Sequence, residues 1–245
     1  MRRAALSRLR WLLPTAASLV LIAACASSGE AKPISIAQPL PDQESLQYNL
    51  LDHNGGALGA ATVSIQRQGA TLTLSQLYTD LSGHSDSLTT TADAATLLPR
   101  TAERSFDTGG AQAMLKLQYA AGQVTANVTS GGKTHHAAEK ITTDSTYDDQ
   151  ESFFLLRTLP FSAGYSTQFV LVVTDAKSGT ISRALATARV VGMTTAKVGG
   201  QNPPAWEVQL SAAGATTTAW FDTSPLRRLL RYDNSGQTRI ELKSP

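Results

Sequence analysis

The sequence is poor in several residue types, and each shortage excludes something. One cysteine in 245 residues rules out a disulfide within the chain, so the fold must hold by burial and hydrogen bonding. Charged residues make up 16% and aromatics 6%, a mixture that suits pleated, half-buried sheet better than charge-laced helices. No apolar run reaches the roughly 17–25 residues that a membrane-spanning helix needs. No glycine-rich phosphate loop follows a strand pattern, so nucleotide binding has no support.

The formal charge of +2 invites a nucleic-acid reading, but it belongs to the leader. Arg2, Arg3, Arg8 and Arg10 all precede Cys25, and no acidic residue does. Without those four, 17 basic residues face 19 acidic ones. A slightly acidic body has no electrostatic reason to seek phosphate backbones.

Residues 1–10 are basic and residues 11–24, "WLLPTAASLVLIAA", form a 14-residue apolar segment. That length fits the core of a signal peptide, with the arginines held on the cytoplasmic side. Leu21, Ile22, Ala23 and Ala24 before Cys25 resemble the lipobox of bacterial lipoproteins. The resemblance implies cleavage before Cys25 and a diacylglyceryl group, with acyl chains such as palmitate, on its thiol. Two acyl chains anchor firmly, because each buried CH₂ contributes about 0.8 kcal/mol. The same residues also fit two other routes. An A-x-A cut after Ala26 would release a protein starting at Ser27, and an uncleaved leader would remain as the anchor.

The chain therefore divides into a signal peptide (1–24), a small-residue, proline-bearing tether (25–43) and a body (44–245). The tether is expected to let the body stand clear of the bilayer. About 200 residues suffice for one core.

Through the body, apolar residues recur at every second position. Leu46, Tyr48 and Leu50 alternate with polar neighbours, as do Ala61, Val63 and Ile65. Leu115, Leu117 and Tyr119 do the same, and so do Val124, Ala126 and Val128. One wet face and one buried face is the pattern of antiparallel sheet. "HNGG" (53–56) predicts a hairpin turn. "QFVLVVT" (168–174) is apolar on both faces and is expected to be a central, covered strand. "DDQESFFLLRTLPFSAG" (148–164) breaks the period: Asp148 and Asp149 cap, Glu151 sits in the first turn, and Pro160 stops the run. It predicts a helix of about three turns, greasy enough to need cover on a concave sheet face. The expected fold is mainly β: one large twisted antiparallel sheet or half-barrel with that short helix packed inside.

"LQYNLLDHNGGALGAATVSI", "TLLPRTAERSFD", "DDQESFFLLRTLPFSAGY", "ARVVGM" and "AWFDTSPLRRLLRYD" occur in an order and spacing that resemble the bacterial exported family called domain of unknown function 3108. The resemblance covers nearly all of 46–242 and implies an envelope protein with a large twisted sheet. A looser similarity is to lipoprotein-carrier half-barrels that shelter acyl chains. "TTAKVGGQNPPAW" (194–206) departs from the family pattern, since its paired prolines lengthen the connection. The family brings no catalytic motif.

The candidates for chemistry are few. His135 and His136 are neighbours, and neighbours on a strand point to opposite faces, so no metal site is expected there. "GHSDS" (83–87) sets Ser85 between His84 and Asp86 but lacks the strand–turn–helix context of a nucleophile elbow. Arg227, Arg228, Arg231 and Arg239 are balanced by Asp222, Asp233 and Glu241 and read as a solvated face. Phe153, Phe154, Trp206 and Trp220 are the residues that would line an apolar cavity if the sheet encloses one. No enzyme activity, cofactor, metal or nucleic-acid partner is expected. Two functional readings follow for an extracytoplasmic lipid-anchored protein. One binds an apolar or amphiphilic ligand; the other is a structural or interaction module presenting a sheet face to an envelope partner.

Overall fold

The alternating segments become strands of one open sheet. The computed structural model describes residues 30–107, 112–120, 122–175, 180–234 and 236–243. Eight strands come first: β1 (Gln43–Asp52), β2 (Ala57–Gln68), β3 (Thr71–Asp80), β4 (Ser85–Asp93), β5 (Pro99–Asp107), β6 (Gln112–Ala120), β7 (Gln123–Ser130) and β8 (Lys133–Lys140). Then come β9 (Thr146–Asp148), a 3-10 turn at Asp149–Glu151, and the helix α1 (Ser152–Thr158). Six more strands complete the chain: β10 (Ser166–Asp175), β11 (Thr180–Thr195), β12 (Pro204–Ala212), β13 (Ala215–Asp222), β14 (Leu229–Asn234) and β15 (Thr238–Leu242).

The sheet runs β8-β7-β6-β5-β4-β3-β2-β1-β15-β14-β13-β12-β11-β10-β9 and does not close. Two meanders thus meet where β1 pairs with β15, Leu50 opposite Ile240. All pairs are antiparallel except β9 with β10. The 53–56 turn forms as its sequence predicts: Asp52 Oδ1 accepts the Asn54 and Gly56 amides, each at 2.8 Å, and Gly55 takes φ +91°.

The sheet coils until its ends overlap. On β6 and β7, Leu115, Leu117, Val124, Ala126 and Val128 are buried on the concave face, and Val172 of β10 packs into them. Phe169 and Leu171, on the other face of β10, join the main core. "QFVLVVT" is therefore covered on both sides, as its composition requires. It is not central, however, but the second strand from an edge. The overlap supplies the second cover that a central position was expected to supply.

The helix is shorter than expected, because a 3-10 turn takes its first residues. Asp148 and Glu151 form a capping box at its start. All seven residues of α1 are buried, and Phe154, Leu155 and Leu156 are at most 1% exposed. A side chain buried on every side of a helix needs walls all round, and the coiled sheet provides them.

Residues 31–40 correct the expectation of a flexible tether through 43. Lys32 donates its amide to Gln168 O at 2.8 Å, and Ala37 and Gln38 donate to Thr158 O. Ile34 and Leu40 are buried in the main core, and the Ile34 amide reaches the Tyr147 hydroxyl at 3.0 Å. This segment straps the helix end to the sheet because its two apolar side chains have a core to enter.

Candidate functional site

The most unusual chemistry lies where the overlap meets the start of the helix. β9 ends at Asp148, fully buried, whose amide donates to Glu151 Oε1 at 2.9 Å. Asp148 Oδ1 accepts the Gln150 amide at 2.9 Å, and the Tyr119 hydroxyl of β6 donates to Oδ2. Asp149 is half-buried beside them. From β3, Gln76 donates to Gln150 O and accepts the Tyr78 hydroxyl at 2.7 Å. On β4 and β5, Arg104 grips both oxygens of Asp86, at 2.9 and 2.6 Å. Polar groups from β3, β4, β5, β6 and β9 thus converge on one turn.

Removal from water governs the electrostatics here. Burial raises Asp148 to about 6 despite the Tyr119 and Gln150 hydrogen bonds. Burial, then the charge of Asp148, pushes Asp149 well above the usual carboxylate range, and Arg104 only partly offsets this. Glu151 is also pushed well up by burial and by both aspartates. Burial and Asp148 together push the Tyr119 phenol far up, so it remains a donor. Glu151 Oε2, Gln150 Oε1 and Thr146 Oγ1 are buried without a hydrogen-bond partner. Burial here disfavours the charged forms of three neighbouring carboxyl groups. Among the described residues no group of three or more His, Cys, Asp or Glu side chains is placed to hold a metal.

The sequence candidates are dispersed. Cys25 and the preceding Leu21, Ile22, Ala23 and Ala24 lie outside the described residues. Phe153 and Phe154 stack at 4.4 Å in the main core, and Phe153 meets Tyr232 at 5.7 Å. Trp206 sits half-buried against Phe161 at 5.7 Å. Trp220 projects from the opposite face of the sheet, beneath the Arg231 guanidinium at 5.0 Å, and packs at the margin of the same cluster. Two clefts of about 420 and 250 Å³ open at the surface. The first lies over β7 and β8, and the second beside Pro33, Ile34, Ile36 and Tyr147.

The remaining candidates are held by neighbours. His84 Nδ1 bonds Asp80 at 3.0 Å, while Asp86 is taken by Arg104. His135 and His136 do face opposite ways, the latter bonding Asn127 at 2.5 Å. Arg228, Arg231 and Arg239 pair with Asp222, Asp233 and Glu241 at 2.7, 2.6 and 2.9 Å. Arg227 lies over Phe161 at 4.1 Å and donates to Leu159 O at 2.7 Å. The D-x-x-E spacing at Asp148 was readable as a cap. Nothing in the sequence marks Tyr119, Gln76 or Arg104 as its neighbours.

A family model described as "Protein of unknown function (DUF3108)" matches residues 45–243, the helix and all of the sheet but the first two residues of β1. The chain belongs to this family. The DUF3108 match begins inside β1 and leaves out the leader and the strap. A crystal structure from Bacteroides fragilis, of a protein described as exported and with a YmcC-like fold, is similar at 10% identity and a TM-score of 0.34. The similarity covers 85% of this chain and 98% of that one. No curated protein matches.

Proposed function

We propose that the chain is a non-catalytic extracytoplasmic protein, held to a membrane by lipid on Cys25, that acts as an interaction module through the surface of its sheet. The basic, short apolar leader ending at Cys25 supports the location and the anchor. The observation that carries the choice between carrier and module is the filled interior. A lipid carrier needs an empty, apolar hollow of at least several hundred Å³. Here α1 occupies the concave face, with Phe153, Phe154, Leu155, Leu156 and Leu159 all buried in one cluster with the strands. Both clefts open at the surface instead. The non-catalytic part of this reading is supported by the sequence, in which "GHSDS" lacks the nucleophile-elbow pattern.

The test is native mass spectrometry with lipid extraction of a Cys25→Ser chain purified without its leader. The expected result is a bare polypeptide, and a stable protein partner captured by crosslinking the wild-type chain in cells. Stoichiometric non-covalent acyl chains in the purified variant would overturn the module reading in favour of a carrier.

A further inference from the structure

We propose that the outer face of β11 from Leu185 to Val191, beyond the part that β8 covers through the Arg183–Glu139 ion pair, rests on the phospholipid bilayer that holds the anchor. This proposal depends on the lipid attachment at Cys25 put forward above.

The first argument is reach. The chain docks onto the body at Lys32, whose amide bonds Gln168 O of β10 at 2.8 Å. Cys25 lies seven residues earlier. An extended backbone spans at most about 3.4 Å per residue, so the anchor sits within about 24 Å of that contact. A body of this size has a radius of gyration of about 17 Å and a diameter of roughly 40 Å. The link is shorter than the body is wide. Whichever face carries Lys32 and Gln168 is therefore the face nearest the lipid.

The second argument is what that face exposes. Gln168 pairs with Thr187, Val170 with Leu185, and Ser166 with Arg189, so the neighbouring strand is β11. Seven large hydrophobic residues are exposed among those described, and two of them, Leu185 (42%) and Val191 (42%), lie on the outer face of β11. Leu185 and Val191 project outward, because Ala186, Ala188 and Val190 between them point into the core. The register shift between Val190 and Gly192 turns Val191 out as a bulge. Met193 pairs with Trp206 after that shift, so it lies on the core side of the sheet and is not part of this face.

The charges around this face are of both signs. Arg189 is exposed between Leu185 and Val191, with no ion pair among the described residues, and Lys32 is exposed at the docking point. Glu30 and Glu207 are near, the latter bonded to Gln209 at 3.0 Å. Apolar side chains bordered by charges of both signs suit the headgroup boundary of a bilayer. The anchor supplies the affinity, and the face sets the orientation.

The test uses the mature lipidated chain in vesicles of phosphatidylethanolamine and phosphatidylglycerol. The native thiol is occupied by lipid, so a Val191→Cys variant offers one free thiol for an environment-sensitive dye. Leu185→Cys serves if that variant fails to fold, and Leu77→Cys, exposed on β3, is the control. The expected result is blue-shifted emission, quenched by brominated lipid, at 191 or 185 but not at 77. Equal water exposure at all positions, with the lipid present in the intact mass, overturns the docking face alone. An intact mass without lipid overturns the anchor, and the docking face with it.

Discussion

Arg157 at the end of α1 holds both carboxylate oxygens of Glu44 at the start of β1, at 2.5 and 2.9 Å, with side chains only 6% and 11% exposed. Its Nε also donates to Leu226 O at 2.9 Å. One guanidinium thus ties the helix to the first strand and to the connection before β14. Removing one partner of a buried pair leaves the other charge unpaired, at a cost of about 3–5 kcal/mol. Arg157→Ala is expected to lose that much in urea unfolding. A double variant, Arg157→Met with Glu44→Leu, should lose much less, and equal losses would contradict the pairing.

The polar seam makes stability depend on pH in a definite direction. Folding raises Asp148 to about 6 and pushes Asp149 and Glu151 further above their ordinary values, chiefly by burial. The folded chain therefore keeps protons that the unfolded chain gives up near pH 4. The resulting stability is fully present below about pH 4 and declines as pH rises through about 6 and beyond. An opposing set acts at acid pH. Asp52 is lowered chiefly by the Gly56 amide. Burial raises Asp80 and Asp93, but hydrogen bonds from His84 and from Ala95, Thr96 and Arg100 outweigh it and leave both lowered. Those contributions are lost as pH falls below about 4. The urea midpoint should be higher at pH 5 than at pH 8. Glu151→Gln keeps the oxygen that accepts the Asp148 amide and should flatten the decline; a midpoint that rises toward pH 8 would refute the assignment.

Gly59 marks a place where two strands come too close for a side chain. It pairs with Asp80 across β2 and β3 and lies opposite Leu50, where the β1–β2 register shifts. A Cβ built there would stand 2.0 Å from Thr79 O, and φ is +157°. Gly59→Ala must move backbone, so a loss of about 1–3 kcal/mol in thermal or urea unfolding is expected. Gly69, with nothing within 4 Å of a built Cβ but φ +58°, is the control in which only backbone strain is added.

Phe154 tests the filled interior directly. It is 1% exposed within the main cluster. Phe154→Ala should cost about 3–5 kcal/mol. It should also open a hollow able to take a small apolar molecule, detectable as xenon or benzene binding that the wild-type chain lacks. Wild-type binding of the same probes would mean that the core is not full.

The sequence by itself determined the strands, the turn and the cap. Period-two burial at Tyr48, Val63, Leu115 and Val124 needs only the alternation of a pleated chain, and Asp148 with Glu151 needs only a helix start. These are local rules, read within a few residues. Coverage of "QFVLVVT" on both faces was equally legible. The overlap that covers Val172 was not, because it joins β10 to β6 and β7 through sheet curvature that no short window records. The same coiling carries Tyr119 to Asp148, whereas the register of β12 on β13, with Trp206 opposite Phe221, puts Trp220 and Trp206 on opposite faces. Ile34 and Leu40 read as a tether because two apolar residues among prolines show no period. Only a finished core offered them somewhere to go, since burial energy depends on what the rest of the chain has already assembled.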